Sequence, residues 1–390
     1  MKNDYDYIVL GCGGIGSAAA YWLARRKGSD VLVLEQFPLF HNRGSSQDHS
    51  RAIRLCYFDQ IYVQLAVHSF IAWSTVEEES GVKLVHKTGG VYMFSDENSS
   101  YRGASDYRKA MDAVGIPYET GDATEVMKRY PQFRIKENIE ALFQADSGLV
   151  DPNKAIASQV SLAQQYGARV VDNCAVPKIV DQGDRVTLTT QAGVFTCRKL
   201  IVAAGAWTDT IMAQFGLKFG ITVTQEQVGY FRPKVLKDFC PGRFPVFFWK
   251  GKESVYGFPV YGETATKAGL DAIGPVVTPD NRSFEAVPDH LQRLETWIDH
   301  HIPNFRRSLL QAKTCLYDIP RDRNFILDTL PGHDNIVVCS GAAHAFKFSC
   351  VLGKIMSELA IDGRTPHSIT EFSAKREAVT NASFKERLTL

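Results

Sequence analysis

A glycine-rich turn between two short apolar runs constrains this chain more than any other part of its sequence. The run over 7–10 leads into the pattern Gly-x-Gly-x-x-Gly at 11–16, an Ala- and Leu-rich segment follows over 17–26, and a second apolar run over 31–34 ends at Glu35. This order predicts a strand, a tight turn, a helix and a parallel strand. Such a turn holds the pyrophosphate of a dinucleotide at the helix N-terminus, and the acid accepts hydrogen bonds from ribose. The candidate contacts are Gly11, Gly13, Gly14, Ile15, Gly16, Glu35 and Gln36.

An uncharged stretch from Tyr7 to Ala24 overlaps this unit and approaches the length of a membrane span or of a signal-peptide core. Asp4 and Asp6 precede it, where a signal peptide carries positive charge, and glycines interrupt it. We therefore expect no membrane segment.

The plain alternative to a dinucleotide site is a glycine-rich helix start that serves packing only.

Composition narrows the class of protein further. The 390 residues suggest two or three folding units. Lys and Arg number 44 and Asp and Glu 43, so the net charge of +1 speaks against a nucleic-acid or membrane-surface partner. The eight cysteines form no Cys-x-x-Cys pair, so we expect no metal site and a reducing compartment.

Two kinds of strand alternate along the chain. Aromatic and β-branched residues dominate 89–94, 222–231 and 244–261, a composition typical of strands with one packed face and one face on a cavity. Short apolar runs like those at 7–10 and 31–34 recur at 200–204 and 335–339. Because the two kinds alternate, we expect discontinuous, interleaved domains.

Two further segments, 200–207 and the loop after Glu35, distinguish between NAD and FAD as the dinucleotide. The buried run 200–204 ends in Gly205 and, two residues later, Trp207, which looks like the second glycine signature of flavoproteins of the glutathione-reductase type. A second Gly-x-Gly-x-x-Gly is missing from the sequence, so a separate NADPH site is not indicated. A loop of small hydroxyls and arginines could wrap the pyrophosphate of FAD; its members are Arg43, Ser45, Ser46, Ser50 and Arg51.

Six further motifs are spread along nearly the whole chain: Gly44-Ser45-Ser46 through Arg51-Ala52-Ile53-Arg54, Lys87-Thr88-Gly89-Gly90, Tyr256-Gly257-Phe258-Pro259, Cys315-Leu316-Tyr317, Phe325-Ile326-Leu327-Asp328 and His344-Ala345-Phe346-Lys347-Phe348. In content and order they resemble the monomeric sarcosine oxidase family, which includes N-methyltryptophan and pipecolate oxidases. The resemblance implies an α/β fold, α+β overall, with a Rossmann-like FAD domain interleaved with a catalytic domain on a mostly antiparallel sheet. We assign the first to 1–86, 146–220 and 318–390, and the second to 87–145 and 221–317.

The resemblance also implies an activity. A member of this family is an FAD-dependent oxidase that takes hydride from an N-substituted or cyclic secondary amino acid, releases an imine for hydrolysis and reduces O₂ to H₂O₂. The expected partners are the amino acid and O₂, and the expected state is a monomer. We expect a cytoplasmic location; a peroxisomal one stays open for a eukaryotic source, although Leu388-Thr389-Leu390 is a poor peroxisomal signal.

Four residues match the family's chemical positions. Cys315 matches the cysteine that links the flavin covalently, although a buried structural cysteine is the plain alternative. Lys267 matches the lysine that activates oxygen. The plain alternative is a solvated surface lysine, which is the commonest situation of lysine. Arg54 and Lys347 match the pair that binds the substrate carboxylate, and Arg54 could instead form a salt bridge that fixes its loop. Lys347 also precedes a helix whose N-terminus could stabilise a reduced flavin.

Other candidates are less determined. Gln47 stands where sarcosine oxidases carry a histidine, and Asp271 where a second histidine is frequent. An acid at the second place is also seen in fructosyl amino acid oxidases, so Asp271 could meet the N-substituent or lie in a solvated loop. His344 could contact ligand or be structural. Aromatic residues could wall the substrate cavity or fill the core; they are Tyr256, Phe247, Trp249 and Phe258.

Three rival functions stay open at this point. The first is a fructosyl amino acid oxidase. The second is an amine dehydrogenase that passes electrons to a carrier or quinone, which Lys267 opposes. The third is a flavin-bearing protein without turnover, which the joint presence of Arg54, Lys267 and Lys347 opposes.

Overall fold

The computed structural model describes residues 2–97 and 102–386. Its strands are β1 (Asp4–Leu10), β2 (Val31–Leu34), β3 (Arg51–Ile53), β4 (Val85–Lys87), β5 (Gly90–Ser95), β6 (Glu119–Gly121), β7 (Ile139–Gln144), β8 (Gly148–Val150), β9 (Arg169–Val171), β10 (Lys178–Asp181), β11 (Val186–Thr190), β12 (Gly193–Val202), β13 (Thr222–Arg232), β14 (Val246–Lys250), β15 (Ser254–Phe258), β16 (Thr266–Leu270), β17 (Ser308–Ile319), β18 (Ile326–Leu330) and β19 (His333–Ser340). Its α-helices are α1 (Gly14–Lys27), α2 (Gln60–Ser80), α3 (Ala104–Asp112), α4 (Ala123–Arg129), α5 (Pro152–Gln165), α6 (Thr208–Met212), α7 (Pro288–His301), α8 (Ser349–Asp362) and α9 (Glu377–Thr380).

The first sheet has a parallel centre in the order β19-β12-β1-β2-β9. Successive residues of β1 show why this centre is apolar throughout: Val9 packs into the core on one face and Ile8 into the core on the other, and both are fully buried. A sheet covered on both faces needs apolar residues at every position. The predicted strand–turn–helix–strand unit is present as β1, α1 and β2.

The second sheet runs in the order β17-β13-β16-β15-β14-β5-β7-β6 and is antiparallel except for the β14–β5 pair. The predicted fold class, an α/β unit with a second, mostly antiparallel sheet, is therefore confirmed. The first sheet is built from strands within 1–86, 146–220 and 318–390, whereas the second uses 87–145 and 221–317, apart from the end of β17. The domain boundaries themselves stay a prediction.

Two close approaches fix the helices against the first sheet. A Cβ on Gly16 would lie 1.9 Å from the carbonyl oxygen of Gly11, and a Cβ on Gly353 would lie 2.4 Å from the amide nitrogen of Ala19. The first contact packs α1 on its own turn, and the second brings α8 against α1. Among the described residues, no helix combines the length and the apolar character needed to cross a membrane.

Candidate active site

One cavity of about 510 Å³ extends from the glycine turn after β1 to the inner face of the second sheet. Its lining joins the glycine turn, the loop 44–54, the segment after β12, strands β14 to β17 and the segment 341–349. These pieces are far apart in sequence, and they meet because the strands of the two sheets alternate along the chain.

The glycine-turn end fits a dinucleotide. Gly11 has a φ of +96°, which favours glycine, and a Cβ there would lie 2.4 Å from the carbonyl oxygen of Ala203. The amide of Gly14 donates to Ser46 Oγ at 2.9 Å, and the amide of Cys12 donates to Glu35 Oε2 at 2.8 Å. Helix α1 thus begins at the cavity wall, beside a serine and a carboxylate, as a pyrophosphate and a ribose require.

Most predicted cofactor residues line this cavity, namely Gly11, Gly13, Gly14, Ile15, Glu35, Gln36, Ser45, Ser46, Arg51, Gly205, Trp207, Cys315 and Lys347. Three lie elsewhere. Gly16 serves the packing of α1, Arg43 is exposed with its guanidinium 4.9 Å from the ring centre of Phe37, and Ser50 faces Lys267 with its carbonyl oxygen. Direct contact of these three with a cofactor therefore gains no support from their positions.

A buried carboxylate, that of Asp48, lies in the cavity wall. Lys267 Nζ donates to Asp48 Oδ2 at 2.5 Å, and Arg51 Nη1 donates to the same oxygen at 2.7 Å. The Tyr230 hydroxyl donates to Asp48 Oδ1, and Lys313 Nζ lies 4.0 Å from that oxygen. The single carboxylate of Asp48 therefore lies beside three cations, so the cluster keeps a net positive charge.

The electrostatics of this pair follow from burial and proximity. Burial acts to raise the pKa of Asp48, but Lys267 and Arg51 together hold it well below its ordinary value. Burial lowers the pKa of Lys267 to about 8, although Asp48 opposes that shift. Lys267 is 2% exposed, which excludes the solvated alternative. Sequence reasoning missed Asp48; its one sequence signal is an acid within a loop of expected cofactor contacts.

A second pair of cations, Arg54 and Lys347, also lines the cavity. The Arg54 guanidinium lies 4.4 Å from the ring centre of Phe248 and 4.6 Å from that of Tyr57, and among the described residues its buried Nε has no hydrogen-bond partner. Lys347 Nζ donates to the carbonyl oxygen of His344 at 2.9 Å. Burial and Arg54 lower the pKa of Lys347 well below its ordinary value. Both side chains could therefore gain from an anion.

His344 is held as a neutral ring. Its Nε2 donates to the carbonyl oxygen of Arg323 at 3.1 Å, while its buried Nδ1 has no partner among the described residues. Burial, Lys347 and Arg323 lower its pKa well below the ordinary value. The geometry thus combines a structural hydrogen bond with an acceptor nitrogen on a residue that lines the cavity.

Asp271 lies in the cavity wall and is ion-paired. Its Oδ1 accepts from Nη2 of the buried Arg323 at 2.8 Å. Burial opposes the shift, but Arg323 and Lys250 lower the pKa of Asp271 to about 2. Arg323 and Lys250 also line the cavity, and neither was predicted from the sequence. A solvated loop position is therefore wrong for Asp271.

The remaining candidates divide between cavity and core. Tyr256, Phe258 and Gln47 line the cavity, and Trp249 borders it while packing 5.6 Å from Trp297. Phe247 was also considered for the cavity wall, and this is wrong. It is fully buried in the core between the second sheet and α7, because it points to the opposite face of β14 from its neighbour Phe248.

Cys315 lies in the middle of β17, where it is paired in register with Glu226 of β13 and borders the cavity. Burial raises the pKa of its thiol, whereas Arg51 and Lys267 act to lower it. A thiol in this position is held by a long strand pair beside cations that favour its thiolate. Among the described residues no cluster of three or more His, Cys, Asp or Glu side chains could hold a metal ion.

Comparisons with known proteins give one consistent result. The profile of the family described as FAD dependent oxidoreductase matches residues 6–359. A monomeric sarcosine oxidase of Bacillus sp. (strain B-0618) is 32% identical over 97% of this chain and 98% of its own length. The N-methyl-L-tryptophan oxidase of Escherichia coli O81 is 29% identical over 95% and 99%. The solved structure of NikD, an unusual amino acid oxidase essential for nikkomycin biosynthesis, superposes with a TM-score of 0.84 at 26% identity, over 95% of this chain and 98% of that one.

The buried Asp48 cluster gives a stability prediction. Asp48→Asn leaves Lys267 and Arg51 without their carboxylate, so the free energy of unfolding should fall by about 3–5 kcal/mol at pH 7. The pKa of Asp48 is depressed in the folded protein, so its contribution is present above the ordinary aspartate value of about 3.9 and is lost as the pH falls below it. The difference between the two proteins should therefore shrink in acid.

The measurement is urea unfolding between pH 3 and pH 8. The control is Asp299→Asn, which removes a half-exposed carboxylate that pairs with Arg306 and should cost about 1 kcal/mol or less. An equal loss in the free energy of unfolding in the two variants would show that the Asp48 cluster stabilises the fold no more than a half-exposed ion pair does.

Proposed function

The chain belongs to the FAD dependent oxidoreductase family, and we propose that it is an oxidase of secondary amino acids whose nitrogen is methylated, otherwise substituted or part of a ring. The predicted resemblance to the sarcosine oxidases is confirmed by relatives that match nearly the whole chain. The observation that carries the proposal is the pair Arg54 and Lys347, two cations that face the same cavity as the glycine turn.

Arg54 and Lys347 would bind the substrate carboxylate. Arg54 lies against aromatic rings and its buried Nε has no partner in the part of the chain that the structure describes, so a carboxylate would supply an acceptor. Lys347 offers a point charge just before α8 begins, and its backbone is fixed because its carbonyl oxygen accepts from Trp73 Nε1 at 2.9 Å. Two charge-assisted contacts would orient the rest of the molecule toward the glycine-turn half of the cavity.

The same cations would prepare the amine. A positive environment disfavours the ammonium form, so the substrate nitrogen would lose its proton on binding. His344 Nδ1 is an uncharged acceptor on a cavity residue near Lys347, and among the described residues it lacks a partner. The glycine turn would hold FAD, which would supply the acceptor for the hydride from the carbon next to nitrogen and the route for its electron pair to O₂, reduced to H₂O₂. The imine would then be hydrolysed to an aldehyde and a primary amine, unless it is cyclic.

Lys267 would stabilise negative charge that develops on oxygen. Although Asp48 is its partner, Arg51 and Lys313 share that carboxylate, so the cluster stays cationic as a whole. A fixed charge in a site shielded from water acts more strongly than one in solvent. This arrangement supports an oxidase over the rival dehydrogenase.

The glycated substrate of the fructosyl rival gains no support from Asp271, since Arg323 already occupies one of its carboxylate oxygens. A monomeric state, a cytoplasmic location and covalent attachment of FAD through Cys315 belong to the same proposal. For Cys315 the support is its position in the cavity wall, beside the cations Arg51 and Lys267.

The proposed function predicts which amines reduce the enzyme. Sarcosine, N-methyl-L-tryptophan or L-pipecolate should bleach the flavin absorbance anaerobically, whereas N-methylethylamine, which lacks the carboxylate, should not. The reason is that Arg54 and Lys347 have no anion to bind in the second case. Peroxide release in air should follow the same ranking. Failure of every secondary amino acid to bleach the flavin would contradict the proposal.

Covalent attachment has its own test. Acid denaturation of the enzyme should leave the yellow colour on the polypeptide, and Cys315→Ala should release it. Cys240→Ala, at a cysteine outside the cavity lining, should retain the colour. Complete loss of flavin from the unaltered chain in acid would overturn the assignment of Cys315.

Oxygen activation is tested by Lys267→Met. Removal of the buried charge should slow reoxidation by O₂ on the order of 10²-fold or more, with a much smaller effect on anaerobic reduction. Stopped-flow absorbance separates the two half-reactions. Lys87→Met removes an exposed lysine and should change neither. Equal slowing of both half-reactions by Lys267→Met would assign the residue a general structural role instead.

A further inference from the structure

The two lysines of the Asp48 cluster differ in what their ammonium groups contact. Lys267 Nζ carries three hydrogens and has three acceptors, namely Asp48 Oδ2 at 2.5 Å, the Ser50 carbonyl oxygen at 2.7 Å and Ser50 Oγ at 3.4 Å. Lys313 Nζ lies 4.0 Å from Asp48 Oδ1, beyond hydrogen-bond distance, and donates no hydrogen bond within the part of the chain that the structure describes. Of the two lysines, Lys313 is therefore the one with free donors.

Strand register places both lysines on the cavity side of the second sheet. Lys267 on β16 is paired with Tyr230 on β13. Lys313 on β17 is paired with Val228, which is two residues before Tyr230 on the same strand. Paired residues share a face, as do residues two apart, so the two lysines lie on one face. Their ammonium groups lie 5.8 Å (Lys267) and 5.0 Å (Lys313) from the ring centre of Tyr230, and both residues line the cavity.

The same strand places Lys313 next to the proposed attachment point of FAD. Lys313 and Cys315 are two residues apart on β17, where the pairing with β13 is regular, so their side chains lie on the same face. Both line the cavity. The side chain of Lys313 is 25% exposed and that of Lys267 is 3% exposed, so Lys313 is the more accessible of the two lysines. A small molecule beside Cys315 could therefore reach the ammonium group of Lys313.

A positively charged donor in this place suits an anion that forms during the reaction. Asp48 is one carboxylate shared by Arg51, Lys267 and Lys313, so positive charge remains in the cluster. O₂ arrives neutral and becomes negative when it receives the first electron. A hydrogen bond from an ammonium group stabilises the negative oxygen more than neutral O₂, and such a difference accelerates a reaction. Lys267 would supply charge, whereas Lys313 would supply charge and a free donor.

We propose that Lys313 is a second catalytic lysine for the reaction with O₂ and that it donates a hydrogen bond to the oxygen that becomes negative. This inference rests on the proposed function and adds a residue to its oxidative half. O₂ takes two electrons and one proton from the reduced, anionic flavin and one proton from solvent, and it leaves as H₂O₂ while the flavin returns to the oxidised form. Lys313 keeps its own protons, so it acts by charge and hydrogen bonding alone.

Stopped-flow reoxidation of the holoenzyme tests this role. Anaerobic photoreduction with EDTA as the electron donor reduces the flavin without an amine, so the test does not depend on the substrate. On mixing with O₂, Lys313→Met should reoxidise about 10-fold or more slowly than the native enzyme, as expected for one lost charge-assisted contact. Lys313→Arg should retain most of the native rate. Lys252→Met, at an exposed lysine, is the matched control and should react at the native rate.

Two further measurements separate a direct role from a structural one. Sulfite adds reversibly to oxidised flavin and bleaches it, and positive charge close to the ring stabilises the product. The Kd of sulfite should rise about 10-fold or more in Lys313→Met and stay near the native value in Lys313→Arg. The double variant Lys267→Met with Lys313→Met should reoxidise more slowly than Lys267→Met alone. If Lys313→Met holds no flavin, Lys313→Gln keeps a polar side chain and removes the charge.

The outcomes separate the two proposals. Native rates of reoxidation in Lys313→Met and Lys313→Gln would overturn this inference and leave the proposed function intact. A double variant no slower than Lys267→Met alone, or an unchanged Kd of sulfite in Lys313→Met, would also overturn the direct role of Lys313. Failure of the reduced native enzyme to react with O₂ would overturn the proposed oxidase, and the inference with it.

Discussion

The ion pair between Asp48 and Lys267 is the contact on which the site depends most. Asp48 lies in the loop that follows the glycine-turn unit, and Lys267 lies on β16 of the second sheet. The pair therefore joins the loop after the glycine-turn unit to the second sheet. Because it is fully buried, either partner alone would be an uncompensated charge in an apolar setting. The two charges are therefore neutralised only when the two halves of the cavity dock correctly.

The charged groups that line the cavity are held in place by their neighbours. Arg54 is fixed by ring contacts, Lys347 by hydrogen bonds to its backbone, and Lys250 and Arg323 by neighbours across β14 to β16. Each of these side chains is held by local contacts and not by long-range interactions through solvent. The cavity therefore presents fixed charges to a ligand, and ordering costs on binding are small.

The sequence predicted the parts of this structure that local patterns determine. The apolar runs and glycines around Gly11 predicted β1, α1 and β2, and distant motifs placed Arg54, Lys267 and Lys347 on one cavity. Asp48, Lys250 and Arg323 were missed, since their partners arise only when remote strands meet. Phe247 was misplaced because β14 is aromatic on both faces, and composition does not distinguish them.

The alternation along β14 separates two properties that usually conflict. Phe247 and Trp249 pack in the core with α7, whereas Phe248 and Lys250 line the cavity. A substitution at 250 changes the chemistry of the cavity without removing a side chain from the core, whereas Phe248 also stacks on the buried Tyr92. A change of charge on the cavity face of this strand therefore needs no compensating change in the core.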